Sequence, residues 1–226
     1  MRRLKEIGVL LGAVAIAIVG AAIVSPAQDD LRSESRAVSG FTGIDIGGAI
    51  SADVRVGGGY EVTVEARADV LPMIKTEVKN NILYVHTEHN NGKLFNWKKR
   101  GPVKVTISLP ELNDLDVSGA SSMTVAGVNS DRLKIDLSGA STLSIDGNAR
   151  SVDIDLSGAS NLKALNLMTD TAMMDLSGAS SAKISVASEL SADASGASSV
   201  CYSGSPKVTK DTSGASSISG GCTVIP

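Results

Sequence analysis

The 226-residue chain has the length of one domain plus an export segment. Its aromatic content of 3% excludes a core built on a few large rings, so Val, Ile, Leu and Ala must fill it. A formal net charge of −3 argues against nucleic acid as a partner, and 23 glycines against only 6 prolines argue against a disordered Pro/Gly tract.

The N-terminus reads as an address. Met1 to Glu6 is positively charged, Ile7 to Val24 is an unbroken apolar or glycine run of 18 residues, and Ser25-Pro-Ala27 places small residues before Gln28. That is the pattern of a secretory signal peptide over residues 1–27. An uncleaved membrane anchor is the alternative, because 18 apolar residues lie near the lower limit for crossing a bilayer. No cysteine follows the run, so a lipoprotein anchor is not expected. Either way the body is expected outside the cytoplasm, in the periplasm, at the cell surface or beyond it. The only expected membrane contact is an uncleaved N-terminal segment. Removing residues 1–27 takes away Arg2, Arg3, Lys5 and Glu6 and leaves a charge of −5.

Residues 28–39 are polar and read as a linker. Phe41-Thr-Gly-Ile-Asp45-Ile-Gly47-Gly48-Ala49-Ile50 looks like a worn copy of a repeat that dominates the second half. Strand-like runs follow at residues 60–66, 82–86 and 103–109, and residues 69–75 suggest a short helical turn. The stretch 40–114 is therefore read as irregular first rungs of a solenoid, with a separate small β-domain as the alternative. His86 and His89 lie too poorly on a strand end and its loop to share a metal ion, and no third ligand is evident. The basic and aromatic stretch Lys93 to Arg100 reads as a strand connection whose Phe95 and Trp97 cap the core; contact with an anionic ligand is its functional alternative.

From residue 115 the repeat is regular. Ser-Gly-Ala-Ser begins at Ser118, Ser138, Ser157, Ser177, Ser195 and Ser213, with spacings of 20, 19, 20, 18 and 18. Two residues before each copy stands an aspartate: Asp116, Asp136, Asp155, Asp175, Asp193 and Asp211. Apolar residues alternate with polar ones on both sides, as in Leu115 and Val117 before the motif and Met123 and Val125 after it. A period of two means strand. The Gly-Ala step is expected to be a corner, since glycine accepts the positive φ of tight bends. A second corner is expected at Gly127, Gly147 and Asn166.

Repeats of this length select the architecture. About 19 residues at ~3.3 Å each give a perimeter of ~63 Å. One such rung cannot bury its own apolar side, but stacking rungs ~4.8 Å apart closes a narrow core. A propeller needs longer repeats, and the leucine-rich signature is absent. A meander with one hairpin per repeat is the competitor, but it scatters equivalent residues over alternate strand pairs. The expected fold is all-β: a parallel β-helix over residues 40–222, with about six regular rungs of 18–20 residues in 115–222. The last rung turns polar at Lys210, Thr212 and Gly220, as a terminal repeat should.

Stacking would set the six aspartates in one column, with like charges ~4.8 Å apart and ~0.9 kcal/mol of repulsion per pair even in water. Three readings are open. Serine hydroxyls and backbone amides solvate the carboxylates, or Ca²⁺ sits between rungs, or the column meets a ligand such as a glycan. Carboxylates repeated in every rung do not form the singular pair a glycosidase needs, so no enzyme is expected. In an oxidising compartment Cys201 and Cys222 are candidates for a disulfide across the last two repeats, with unpaired thiols as the alternative.

The run Phe41-x-x-Ile44-Asp-Ile46, the strand from Val103 to Leu109 entering Pro110-Glu-Leu112, and Leu115-Asp-Val-Ser-Gly-Ala-Ser121 resemble the bacterial family described as "putative auto-transporter adhesin, head GIN domain". The resemblance spans nearly all of residues 40–222. It implies an exported protein folded as a right-handed parallel β-helix, and surface binding. No translocator barrel is visible after Pro226, so self-export as an autotransporter is not expected. The functional expectation is a non-catalytic envelope protein presenting a rigid binding surface. A scaffold assembling through its ends or edges is the alternative, and a carbohydrate-active enzyme is the third possibility.

Overall fold

The computed structural model describes residues 30–87 and 101–223. The N-terminal address, His89 and the basic stretch from Lys93 to Arg100 lie outside the described residues.

Among the described residues fifteen strands form one continuous sheet wound into a parallel β-helix. In chain order, β1 (Leu31–Ser35), β2 (Gly43–Gly47), β3 (Ser51–Val56), β4 (Glu61–Arg67), β5 (Ile74–Lys79), β6 (Ile82–Thr87) and β7 (Lys104–Leu109) make the first half. The repeats supply β8 (Asp114–Val117), β9 (Ser122–Leu137), β10 (Thr142–Leu156), β11 (Asn161–Leu176), β12 (Ser181–Ala194), β13 (Ser199–Ser203), β14 (Lys207–Thr212) and β15 (Ser217–Gly220).

The ladder is in register where the repeat predicts it. Ile44, Leu115, Ile135, Ile154, Met174 and Ala192 stand over one another and are buried. Ile46, Val117, Leu137, Leu156, Leu176 and Ala194 form the neighbouring inward file. Every rung contributes a thin layer of mid-sized side chains, which is how a chain so poor in aromatics builds a core.

The Ser-Gly-Ala-Ser corners are fixed by their glycines. Gly158 has φ +74°, and a Cβ there would lie 2.5 Å from the Gly139 carbonyl oxygen below it. Only glycine meets both demands. The bareness lets each corner dock on the last: Ala159 donates its N–H to Gly139 O at 2.7 Å, and Ala179 to Gly158 O at 2.7 Å. The serine at the fourth position of the motif faces inward. Ser180 and Ser198 are buried, and their hydroxyls donate to the carbonyls of Ser177 and Ser195, both at 2.7 Å.

Three features differ from expectation. First, the second corner does not break the strand. β9, β10 and β11 run 16, 15 and 16 residues from one motif to the next, and the bend is taken up by register shifts, as between Ile145 and Gly147. A bulge turns the chain while the ladder continues on either side. Second, the stretch read as a linker contains β1, which pairs antiparallel with β4. All five of its side chains are exposed, so backbone pairing alone places it and no apolar alternation marks it.

Third, the first half is not stacked in chain order. The β2–β3 coil lies directly under the repeats, β2 against β8 and β3 against β9. The later β6–β7 coil stacks on its other side, parallel to β2 and β3. Antiparallel β5 on β6, β4 on β7 and β1 on β4 then close that end. The helical turn expected at residues 69–75 is a 3-10 turn at Leu71–Met73, and Ile74 already opens β5. At the opposite end Lys210 takes the inward column, and its Nζ donates to Ile218 O at 3.2 Å.

Candidate binding groove

From Asp116 to Ser195 the strand entering each corner reads Asp, buried apolar residue, Ser; the last coil has exposed Thr212 in the middle position. Alternation turns the aspartate and the serine to the same outer side. The stacking brings all six predicted aspartates into one file: Asp116 pairs with Asp136, Asp136 with Asp155, Asp155 with Asp175, Asp175 with Asp193, and Asp193 with Asp211. Asp45 adds a seventh member below Asp116. It was legible as part of the worn copy, because Gly47-Gly48-Ala49 stands where Ser-Gly-Ala stands later. Beyond Asp45 the file runs through Tyr84 to Glu77 of antiparallel β5, and the parallel serine file runs through Gly47 and His86 to Lys75; Gly47, Tyr84 and His86 are half-buried. His86 thus belongs to this end of the column, and His89 lies outside the described residues.

The column is not uniform along its length. Asp45, Asp116 and Asp136 are half-buried, whereas Asp155, Asp175, Asp193 and Asp211 are exposed. These last four, with Ser157, Ser177, Ser195 and Ser213, line an open groove along the shaft.

Counter-charge is confined to the buried end. Lys134 Nζ lies 2.7 Å from Asp136 Oδ2. Among the described residues no ion pair reaches Asp155, Asp175, Asp193 or Asp211. The serines on the same outer side turn elsewhere: the hydroxyls of Ser177 and Ser195 donate to Leu156 O at 3.5 Å and to Leu176 O at 3.3 Å. The groove is therefore a strip of carboxylates facing water.

The half-buried end holds protons more tightly. Burial, with the charges of Asp45, Asp136 and Asp114, pushes Asp116 up to about 6. Burial also raises Asp45, against the pull of His86 and with the push of Asp114. Asp114 is raised by burial against the pull of Lys134, and Asp155 by burial and by Asp136.

Among the described residues no three His, Cys, Asp or Glu side chains converge as a metal-holding group. The file offers two carboxylates to each gap between rungs, whereas Ca²⁺ takes six to eight oxygens. At the C-terminal end Cys201 of β13 is joined to Cys222, with Cα atoms 5.7 Å apart. No helix among the described residues is long and apolar enough to cross a membrane.

The profile of the family described as "putative auto-transporter adhesin, head GIN domain" matches residues 40–206. Solved structures share the fold. One from Bacteroides fragilis, described as a putative adhesin, superposes with a TM-score of 0.68 at 21% identity, over 84% of this chain and 96% of that one. A putative adhesin from Parabacteroides merdae gives 0.54 at 14% identity, over 86% and 98%. A Parabacteroides distasonis protein described as a putative lipid binding protein gives 0.53 at 15% identity, over 86% and 98%. No curated protein matches the chain.

Proposed function

The chain belongs to the family described as "putative auto-transporter adhesin, head GIN domain", and on that premise we propose that it is a non-catalytic, exported envelope protein whose shaft presents a rigid binding surface. The surface is the aspartate groove. The observation that carries this reading is the run Asp155, Asp175, Asp193 and Asp211: four carboxylates in register, exposed, and without an ion pair among the described residues. Like charges on adjacent strands oppose folding. A ligand bringing hydroxyl, amine or cationic groups at a regular interval relieves that repulsion, and a rigid shaft binds it with little ordering cost. A glycan or another envelope component has that chemistry. Calcium between rungs is the simpler ligand of the same column.

The repetition itself speaks against catalysis, because hydrolysis needs one distinguished pair of carboxylates and this groove offers equivalent ones. Assembly through the ends is the second reading. It is favoured by β14 and β15, each of which pairs on one side only. The polar last rung, with Lys210 across its opening, opposes it.

The test is a glycan array, with and without Ca²⁺, probed with the full chain and with an Asp155→Asn/Asp175→Asn/Asp193→Asn variant. The proposal expects selective binding by the wild type and at least tenfold weaker binding by the folded variant. Equal binding by both would falsify the groove as the site. Ligand-free self-association would favour the scaffold, and turnover of a polysaccharide would restore the enzyme.

A further inference from the structure

We propose a second, separate site: an anion pocket in which Lys163 and Lys183 hold a phosphate group. It lies on the strands that leave the corner, away from the aspartate file on the strands that enter it. Lys163 of β11 and Lys183 of β12 are direct neighbours in register. Both are exposed, and neither has an ion pair among the described residues.

The next position of that file is Cys201, and the disulfide there shapes the pocket. After β15 the chain turns at Gly221, with φ +93°. Cys222 donates its N–H to Tyr202 O at 3.2 Å and is bonded to Cys201. The returning segment thereby brings Thr223 to the rim, where it joins Asn161, Asn166 and Ser181 around the two lysines.

Apart from Leu165, the lining is ammonium, amide and hydroxyl donors, with no carboxylate among the described residues. Two like charges on adjacent strands repel and invite an anion between them. An ammonium is a compact point charge with three rotatable donors, so a pair of them suits a tetrahedral phosphate and lacks the planar fork that arginine offers a carboxylate. A doubly charged oxyanion bridging Lys163 and Lys183, with Thr223 and the asparagines completing its shell, satisfies every group at the rim.

Amide chemical shifts of the full, disulfide-bonded chain, titrated with inorganic phosphate at constant ionic strength, test the site. The expected result is a saturable shift confined to residues around Lys163 and Lys183, weakened at least tenfold in a Lys163→Gln/Lys183→Gln variant of unchanged melting temperature. Two further arms identify the source of the phosphate. Sedimentation with phosphatidylglycerol vesicles but not with phosphatidylcholine vesicles assigns it to an anionic lipid headgroup. A phosphate response without vesicle binding assigns it to a free or polymer-borne phosphate. Shifts that never saturate, or that persist unchanged in the double variant, overturn the proposal. Because all the substituted groups lie outside the aspartate file, failure here leaves the groove untouched.

Discussion

Corner glycines and column carboxylates carry opposite energies. At Gly158 any side chain meets both a positive φ and the carbonyl of the rung below. Gly158→Ala is expected to cost about 2 kcal/mol or more, lowering the melting temperature by roughly 4 °C or more. A calorimetric scan checks it; an unchanged transition would mean that the corners do not stack as described. The carboxylates work the other way. Asp116 is raised to about 6 from an ordinary 3.8, so the folded state binds its proton more tightly than the unfolded chain does. Stability should therefore rise as pH falls from 7 through 6 toward 4. Asp45, Asp114 and Asp155 push the same way. Asp69 and Glu77, held low by Arg67 and Lys79, act in the opposite sense only below about pH 4. Urea midpoints between pH 4.5 and 7.5 should show the rise, and Asp116→Asn should flatten it while raising the midpoint at pH 7.5. A midpoint that instead fell with acidification over this range would contradict the raised carboxylates.

Among the elements, legibility tracked the repeat. Asp-x-Ser-Gly-Ala-Ser marks one structural position, and every predicted pairing from Asp116 to Asp211 is met by the ladder. Where no repeat speaks, the reading thinned. β1 buries no side chain, so nothing in Leu31–Ser35 announces a strand. The place of β2–β3 between the repeats and β6–β7 was not legible either, because parallel coils pair through their backbones and the apolar alternation is the same in either order. Gly127 and Gly147, expected as corners, lie at bulges, since glycine signals a bend without saying whether the ladder continues through it. The last rung was legible as a terminus from Lys210, Thr212 and Gly220. Its tether is expected to matter: the Cys201–Cys222 bond closes 21 residues of separation, worth about 3 kcal/mol in the chain-entropy account. Hydrogen exchange should show β13 to β15 opening much more readily in a Cys201→Ser/Cys222→Ser variant, with β9 to β11 little changed. Equal protection in both proteins would show that packing alone holds the last rung.

Over the whole molecule, one geometric fact organises the rest: equivalent residues lie directly over one another along a single shaft. It makes a core from thin aliphatic layers, places bare glycine on bare glycine, and concentrates like charge in one groove. The central claim is tested most directly by the distance between orthogonal, non-cysteine spin labels at Ala120 and Ala215, two exposed corner residues separated by five rungs. Pulsed dipolar spectroscopy should give one distribution centred near ~24 Å, five steps of ~4.8 Å. A centre near ~48 Å, two strands per repeat, would contradict the stack and return the chain to a hairpin meander.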